Sequence, residues 1–299
     1  MKTSAWKKEW PLHLMIWPGL LVVLVYSYGP MFGFAIAFQK YNLALGIWKS
    51  EWIGWDNFDY LFHYPNIGRV VWNTLSISVM KIVVGQLAPI VTALLLNEVR
   101  KAVFKRAVQT MIYLPYFLSW VILGGIMIDL LSPSEGIVNQ FIAWLGFERI
   151  FFLANNDWFP FVLVFSDVWK EFGFHTIVYL AALTAISPAL YEAAVVDGAG
   201  RFKQTWHITL PGILPIVILL ATLSLGQVVN AGFDQVFNLY SPVVYESGDI
   251  IDTLVYRLGL LDFQFGLATA VGLLKSIVGF VLIVISYVLA YRFANYRIF

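Results

Sequence analysis

Two sets of residues in this sequence are spaced for chemistry, and neither is spaced for making or breaking covalent bonds. The first lies in the run SPALYEAAVVDGAGRFKQTWHITLPGILP, residues 187–215. Here Glu192 offers a carboxylate on a short helix, Ala193 and Ala194 remove bulk beside it, and Asp197-Gly198-Ala199 supplies a turn. Such a set suits a rigid surface on which another macromolecule seats closely. The second is a set of charges inside apolar runs: Lys81, Asp167, Lys170, Glu171 and Lys275, with Asp129 near the outer end of one. No catalytic constellation accompanies them. His13, His63, His175 and His207 are dispersed, there is no cysteine, and neither HExxH nor GxSxG occurs, so no catalytic residue and no metal site is assigned. GxxxxGK[ST] is absent as well, as is the dipeptide Gly-Lys, so this sequence carries no phosphate-cradling loop for nucleotide hydrolysis.

The elements that must position these residues are membrane spans. Of 299 residues, 60% are hydrophobic and only 12% charged, about half the charge of a soluble domain. The net charge of +1 advertises no nucleic acid or other bulk polyanion as a partner. A hydrocarbon core about 30 Å thick takes roughly 20 helical residues to cross. Six apolar runs satisfy that, at 14–38, 71–96, 109–131, 160–186, 213–232 and 267–291. The first, behind Lys2, Lys7 and Lys8, also has the outline of a signal peptide with Ala35-Ile36-Ala37 as a cleavage site. Its apolar run is too long for that, and Pro18-Gly19 and Gly29-Pro30 predict a retained, kinked helix.

Lys and Arg concentrate at the N-terminus, in 97–108, in 187–212 and at the C-terminus, whereas the alternate loops hold Lys40, Lys49, Arg69, Arg149 and Arg257 and most of the acids. By the positive-inside rule both termini face the cytoplasm. The outer loops carry Trp48, Trp52, Trp55, Tyr60, Tyr64, Tyr240 and Tyr245, as an interfacial aromatic belt does. With no linker and no internal repeat, the simplest parse is one all-α integral membrane domain over 1–299. A charge facing lipid at a span centre costs about 2.5–3.5 kcal/mol, so the buried charges must face protein or water. Asp167 and Lys170, three residues apart on one helical face, are predicted to pair with each other.

The 187–212 loop has local helix signals of its own. Ser187 is an N-cap candidate, Pro188 suits the first helical position, Gly198 and Gly200 end the helix, and a second short helix follows to about His207 before Pro211 marks re-entry into the membrane. Glu192-Ala193-Ala194, then Gly198, then Ile208-x-Leu210-Pro211, with Asp197 and Ala199 also agreeing, resembles the EAA signature of permease subunits of binding-protein-dependent ABC importers. The resemblance covers nearly all of the chain. It is nearest to the maltose-type sugar branch, in the subgroup handling complex or polysaccharide-derived oligosaccharides, which stretches 94–99, 167–170 and 232–237 also resemble.

The resemblance implies the type I importer (MetI-like) permease fold, with the loop as a coupling helix between spans four and five. It implies a bacterial plasma-membrane location and a heteromeric complex: a second homologous permease, two ATPase subunits carrying the ATP and Mg, and an extracytoplasmic substrate-binding protein. In that setting Gln227, Asn230, Phe233 and Asp234, and less strongly Trp169 and Asn73, are candidates to line a carbohydrate pathway, since they combine amides, a carboxylate and rings. The competing assignment is hydrogen bonding between helices. A secondary transporter, which usually shows inverted repeats, and an intramembrane enzyme, which needs a convergent catalytic set, are the alternative classes, and neither signature is present. Lys81, Lys170 and Lys275 would suit an acidic saccharide or, equally, intramembrane ion pairs.

Overall fold

The computed structural model describes the backbone of residues 3–294 and the side chains of residues 10–289. The helices include α1 (Thr3–Val23), α2 (Ile67–Glu98), α3 (Ala102–Tyr113), α4 (Trp120–Leu131), α5 (Phe159–Thr184), α6 (Pro188–Val196), α7 (Leu210–Leu225), α8 (Phe233–Leu239), α9 (Ile251–Tyr256) and α10 (Phe265–Ala294). Four helical stretches among the described residues are long and apolar enough to cross a membrane, and up to six if two bent pairs each count as one span. The all-α expectation meets one exception, a two-stranded antiparallel ladder that pairs Gln39 with Trp52 and Lys40 with Glu51.

The chain clusters into two compact units. One comprises Met1–Ile67 and Val255–Leu274. In it the first span is irregular from Leu24 on, around the expected Gly29-Pro30 break: α1 continues through Pro18 as α-helix and runs into a π turn over Leu24–Tyr28 and a 3-10 stretch over Gly29–Phe38. The strand ladder is fastened by Asn57, whose amide donates to the carbonyls of Ala37 (2.8 Å) and Gln39 (3.1 Å). Phe38 stacks on Trp52 at 5.6 Å, and Trp48 is 94% exposed, the placement an interfacial aromatic residue needs.

The other unit comprises Gly68–Leu254 and Lys275–Phe299. Its apolar packing falls into two buried clusters. Ala93, Tyr179, Leu183 and Ile213 join α2, α5 and α7. Ile77, Phe159, Leu163, Val236, Leu239, Val244 and Ile250 join α2 and α5 to the segment beyond α7.

Two predicted spans need correction. The run 109–131 is not one helix: α3, extended by a 3-10 turn to Phe117, meets α4 at 108°. Pro115 supplies no N–H to continue the ladder, and Ser119 begins a new helix by accepting from the Ile122 amide. The fifth span ends at Leu225, short of the predicted 232, and residues 226–232 are non-helical. In compensation it begins earlier, because Arg201 to Leu225 is a continuous helix with a π turn at Thr205–Thr209. The second short helix of the loop is therefore the base of the span itself.

Gly173 on α5 lies against the Ile112 carbonyl of α3, so close that any β-carbon there would collide with backbone. Gly173→Ala is therefore expected to lose about 1–3 kcal/mol, the usual cost of overpacking. Gly85→Ala, with nothing within 4 Å of its β-carbon, should be neutral or slightly stabilising. Thermal unfolding in detergent compares them, and equal stability of the two variants would contradict the close approach.

Candidate functional site

One group of polar residues of the second unit gathers around a cavity of about 490 Å³. Three elements wall it: α2 through Ser78, Lys81 and Gln86, α5 through Asp167, Glu171 and His175, and the end of α7 with the following turn through Ser224, Gln227 and Asn230. Its hub is Lys81, which is 8% exposed. The ammonium has three donors and finds three acceptors: Asp167 Oδ1 at 3.2 Å, the Ala231 carbonyl at 2.7 Å and the Gln235 side-chain carbonyl. A buried ammonium with fewer partners would be far more costly than one so satisfied.

Gln235, fully buried, passes the link on. Its amide donates to the Leu163 carbonyl and to Ser166 Oγ, both at 2.7 Å. One lysine therefore binds α2 to α5, to α8 and to the unwound backbone between α7 and α8. That backbone turns at Gly232, whose φ of +93° lies in the left-handed region. A β-carbon there would also stand 3.1 Å from the Lys81 ammonium, a tight contact that adds to the need for glycine.

The predicted Asp167–Lys170 pair is not what forms. Asp167 turns to Lys81, while Lys170 donates to the carbonyls of Tyr116 (2.6 Å) and Leu118 (3.0 Å) and lies 5.2 Å from the Tyr116 ring centroid. Its nearest carboxylate is Glu171, at 3.9 Å. The physical reason is the break between α3 and α4, where carbonyls released from the helical ladder need donors and a long lysine stem can reach them. The third intramembrane lysine, Lys275, pairs with Asp252 at 2.5 Å. All three lysines are held by groups of this chain.

Of the pathway candidates, Gln227 and Asn230 are in the cavity wall, where Asn230 donates to the Gln227 side-chain carbonyl at 2.7 Å. Both remain exposed. Asn73 is not in the wall: it is buried and donates to the carbonyls of Glu246 (3.1 Å) and Asp249 (3.2 Å), fastening the start of α2 to the 246–249 segment. Phe233 and Asp234 lie past the Gly232 turn on α8, where Phe233 stacks on Phe237 at 5.3 Å, and Trp169 points away from the cavity residues of α5 with 37% exposure. Lys81 was raised by sequence reasoning only as a charge suiting an acidic saccharide or an ion pair, and Gln235, Gln86, Glu171 and His175 were not selected for the site. An intramembrane lysine was the available signal for the first, and nothing local marked Gln235 as its partner.

The 187–212 segment forms the far end of the same unit. α6 leaves α5 at 68° and presents Glu192, Ala193 and Asp197 exposed, beside Val195 (63%) and Val196 (88%). Ser187 occupies the N-cap but makes no side-chain cap bond, and Pro188 supplies the first turn. The other end of α6 is a Schellman closure. Gly198, at φ +73°, donates to the Val195 carbonyl at 3.0 Å, and Ala199 donates to the Ala194 carbonyl at 2.8 Å. Ile208, Leu210 and Pro211 fall on the following helix, whose base leads without interruption into α7. Tyr191 on α6 meets Thr209 across this corner at 3.0 Å, and Arg201 meets Glu98 at the end of α2 at 2.8 Å.

Comparison with known proteins accords with this architecture. Residues 85–295 match the family described as binding-protein-dependent transport system inner membrane component, and the chain belongs to that family. It is thus a multi-pass membrane component of a transport system. The polygalacturonan/rhamnogalacturonan transport system permease protein YteP of Bacillus subtilis is 44% identical over 96% of this chain and 90% of its own length. A solved bacterial ABC transporter involved in the import of the acidic polysaccharide alginate superposes with a TM-score of 0.89, at 39% identity over 97% of this chain and 98% of that one. A second structure, a bacterial alginate ABC transporter in complex with an alginate pentasaccharide-bound periplasmic protein, also gives 0.89, at 38% identity and 98% coverage of both chains.

Removing the hub ammonium strands Asp167 and Gln235. Lys81→Met is expected to cost about 3 kcal/mol, the lower end for breaking a buried pair, because Asp167 keeps 26% of its side-chain surface accessible. Combining it with Asp167→Leu should restore part of the loss. Thermal unfolding of Lys81→Met, Asp167→Leu and the double variant checks this, and a double variant as unstable as the sum of the single ones would show that the pair is not coupled.

Proposed function

We propose that this chain is a non-catalytic permease subunit of an ABC importer and forms half of the pathway for an oligosaccharide across a bacterial plasma membrane. In this reading it crosses the bilayer six times with both termini in the cytoplasm, the bent pair α3–α4 serving as one span and α5 as another, with α6 outside the membrane. A second, homologous permease supplies the other half of the pathway. An extracytoplasmic binding protein delivers the substrate, and two ATPase subunits supply the ATP-driven motion. The relatives' own substrates support a carbohydrate.

The observation that carries the reading is the corner at 187–212. An exposed helix with small residues on its surface, closed by a Schellman turn, is followed after Gly200 by a continuous helix from Arg201 to Leu225. Force applied at α6 is thereby delivered to the end of α7, where the unwound segment with Gln227 and Asn230 borders the cavity. Glu192 would make a polar contact to the ATPase, Ala193 and Ala194 would admit its close approach, and Asp197-Gly198-Ala199 would keep the corner rigid. Ile208, Leu210 and Pro211 would hold the base of the moving helix. At the cavity, Gln227 and Asn230 offer amide donors and acceptors to sugar hydroxyls.

Glu192→Lys reverses the charge at the docking surface, and Gly198→Asp places a side chain at a left-handed φ. Each is expected to leave membrane insertion intact while import falls at least tenfold, with ATP hydrolysis by the complex no longer tied to uptake. Uptake and hydrolysis measured on the same vesicles test this. Normal transport by both variants would sink the assignment of this corner.

A further inference from the structure

α2 runs as one helix past both functional regions. Near its end, Glu98 binds Arg201, the first residue of the helix that rises from the corner, at 2.8 Å. Seventeen residues earlier, about 25 Å along a helix, Lys81 grips Asp167, Gln235 and the Ala231 carbonyl at the cavity. A polar cleft of about 190 Å³ lies beside the lower contact, between Asn97 and Glu98 of α2, Tyr191 of α6, and Gln204 and Thr209. Glu98 and Arg201 are the charged pair bridging that cleft, and both are more than half exposed. An exposed pair stabilises little, so its value lies in direction: it fixes which way the end of α2 is pulled when the corner moves.

We propose that Glu98 and Arg201 are positioning residues that form a second output of the coupling corner, carrying its motion into α2 and through Lys81 to the cavity. This rests on the importer reading. The corner then has two outlets. One runs directly up the 201–225 helix, and the other runs sideways through the Arg201–Glu98 bond into α2. Both reach the unwound segment 226–232, one from its preceding helix and one through the Lys81–Ala231 hydrogen bond. Moving both walls together keeps the three acceptors on Lys81 throughout the cycle, and moving α7 alone would tear one away.

The chain has no cysteine, so paired labels can be introduced without background from it. Spin labels on cysteines replacing Leu95 of α2 and Leu214 of α7, both at least half exposed, report the distance between the two helices in the purified complex with its partner subunits. It is measured without nucleotide and after trapping with ATP and vanadate. With the joint intact the distance should be the same in both states. In Glu98→Arg and in Arg201→Glu trapping should change it by about 2 Å or more, the scale of helix shifts in switching proteins, and the double swap should abolish the change.

If either reversal lowers the yield of complex, Glu98→Gln and Arg201→Gln must show the same shift. Single variants that behave as the parent, a parent distance that itself shifts on trapping, or a double swap that fails to restore would each overturn the joint. A parent chain that binds no ATPase overturns the importer reading and the joint with it, so the two failures are told apart.

Discussion

The ammonium of Lys81 is the constraint on which the rest of the second unit depends. A charge of this kind inside apolar surroundings must be satisfied by acceptors that water would otherwise provide. Asp167, Gln235 and the Ala231 carbonyl come from three different elements, so satisfying one side chain fixes three backbones. The unwound stretch after α7 follows from it. Non-helical backbone at membrane depth is tolerated where it lines a cavity or is buried in protein, and here one freed carbonyl is taken by the lysine while the neighbouring amides face the cavity. Gly232 is needed because the chain must turn within contact distance of that ammonium.

The same economy recurs at the α3–α4 break, where Lys170 satisfies carbonyls that a straight helix would have satisfied internally. Two lysines thus allow two interruptions of regular helix inside an apolar bundle. The third, Lys275, is neutralised by Asp252. With all three ammonium groups engaged within the chain, the exposed polar groups of the cavity are chiefly amides and carboxylates. Such a wall offers the donors and acceptors that the proposed carbohydrate path requires.

Much of this was legible in the sequence. Apolar runs located the long helices because length and hydropathy depend on composition alone, and the spacing from Glu192 to Pro211 placed the corner because cap, glycine turn and proline are local signals. The irregular end of the first span was legible at Gly29-Pro30 for the same reason, whereas Pro18 sits within regular α-helix. The partners of buried charges were not. Helical periodicity puts Asp167 and Lys170 on one face, but it cannot see Lys81 on another helix or the carbonyls of Tyr116 and Leu118. Nor could it see that the short helix after Gly200 runs unbroken from Arg201 into the fifth span, because Thr205–Thr209 continues the helix as a π turn that no residue type announces. Asn73 illustrates the same limit: an amide in an apolar run is compatible with ligand or with loop carbonyls, and only tertiary structure chose the carbonyls of Glu246 and Asp249.

The most direct test of the account is the composition of the complex. The tagged chain, extracted in mild detergent from its native membrane, is analysed by intact-complex mass spectrometry. The expected result is one second permease and two ATPase copies with each copy of this chain. Recovery of the chain alone or as a self-dimer, with no nucleotidase under several extraction conditions, would contradict it and favour a transporter driven by an ion gradient.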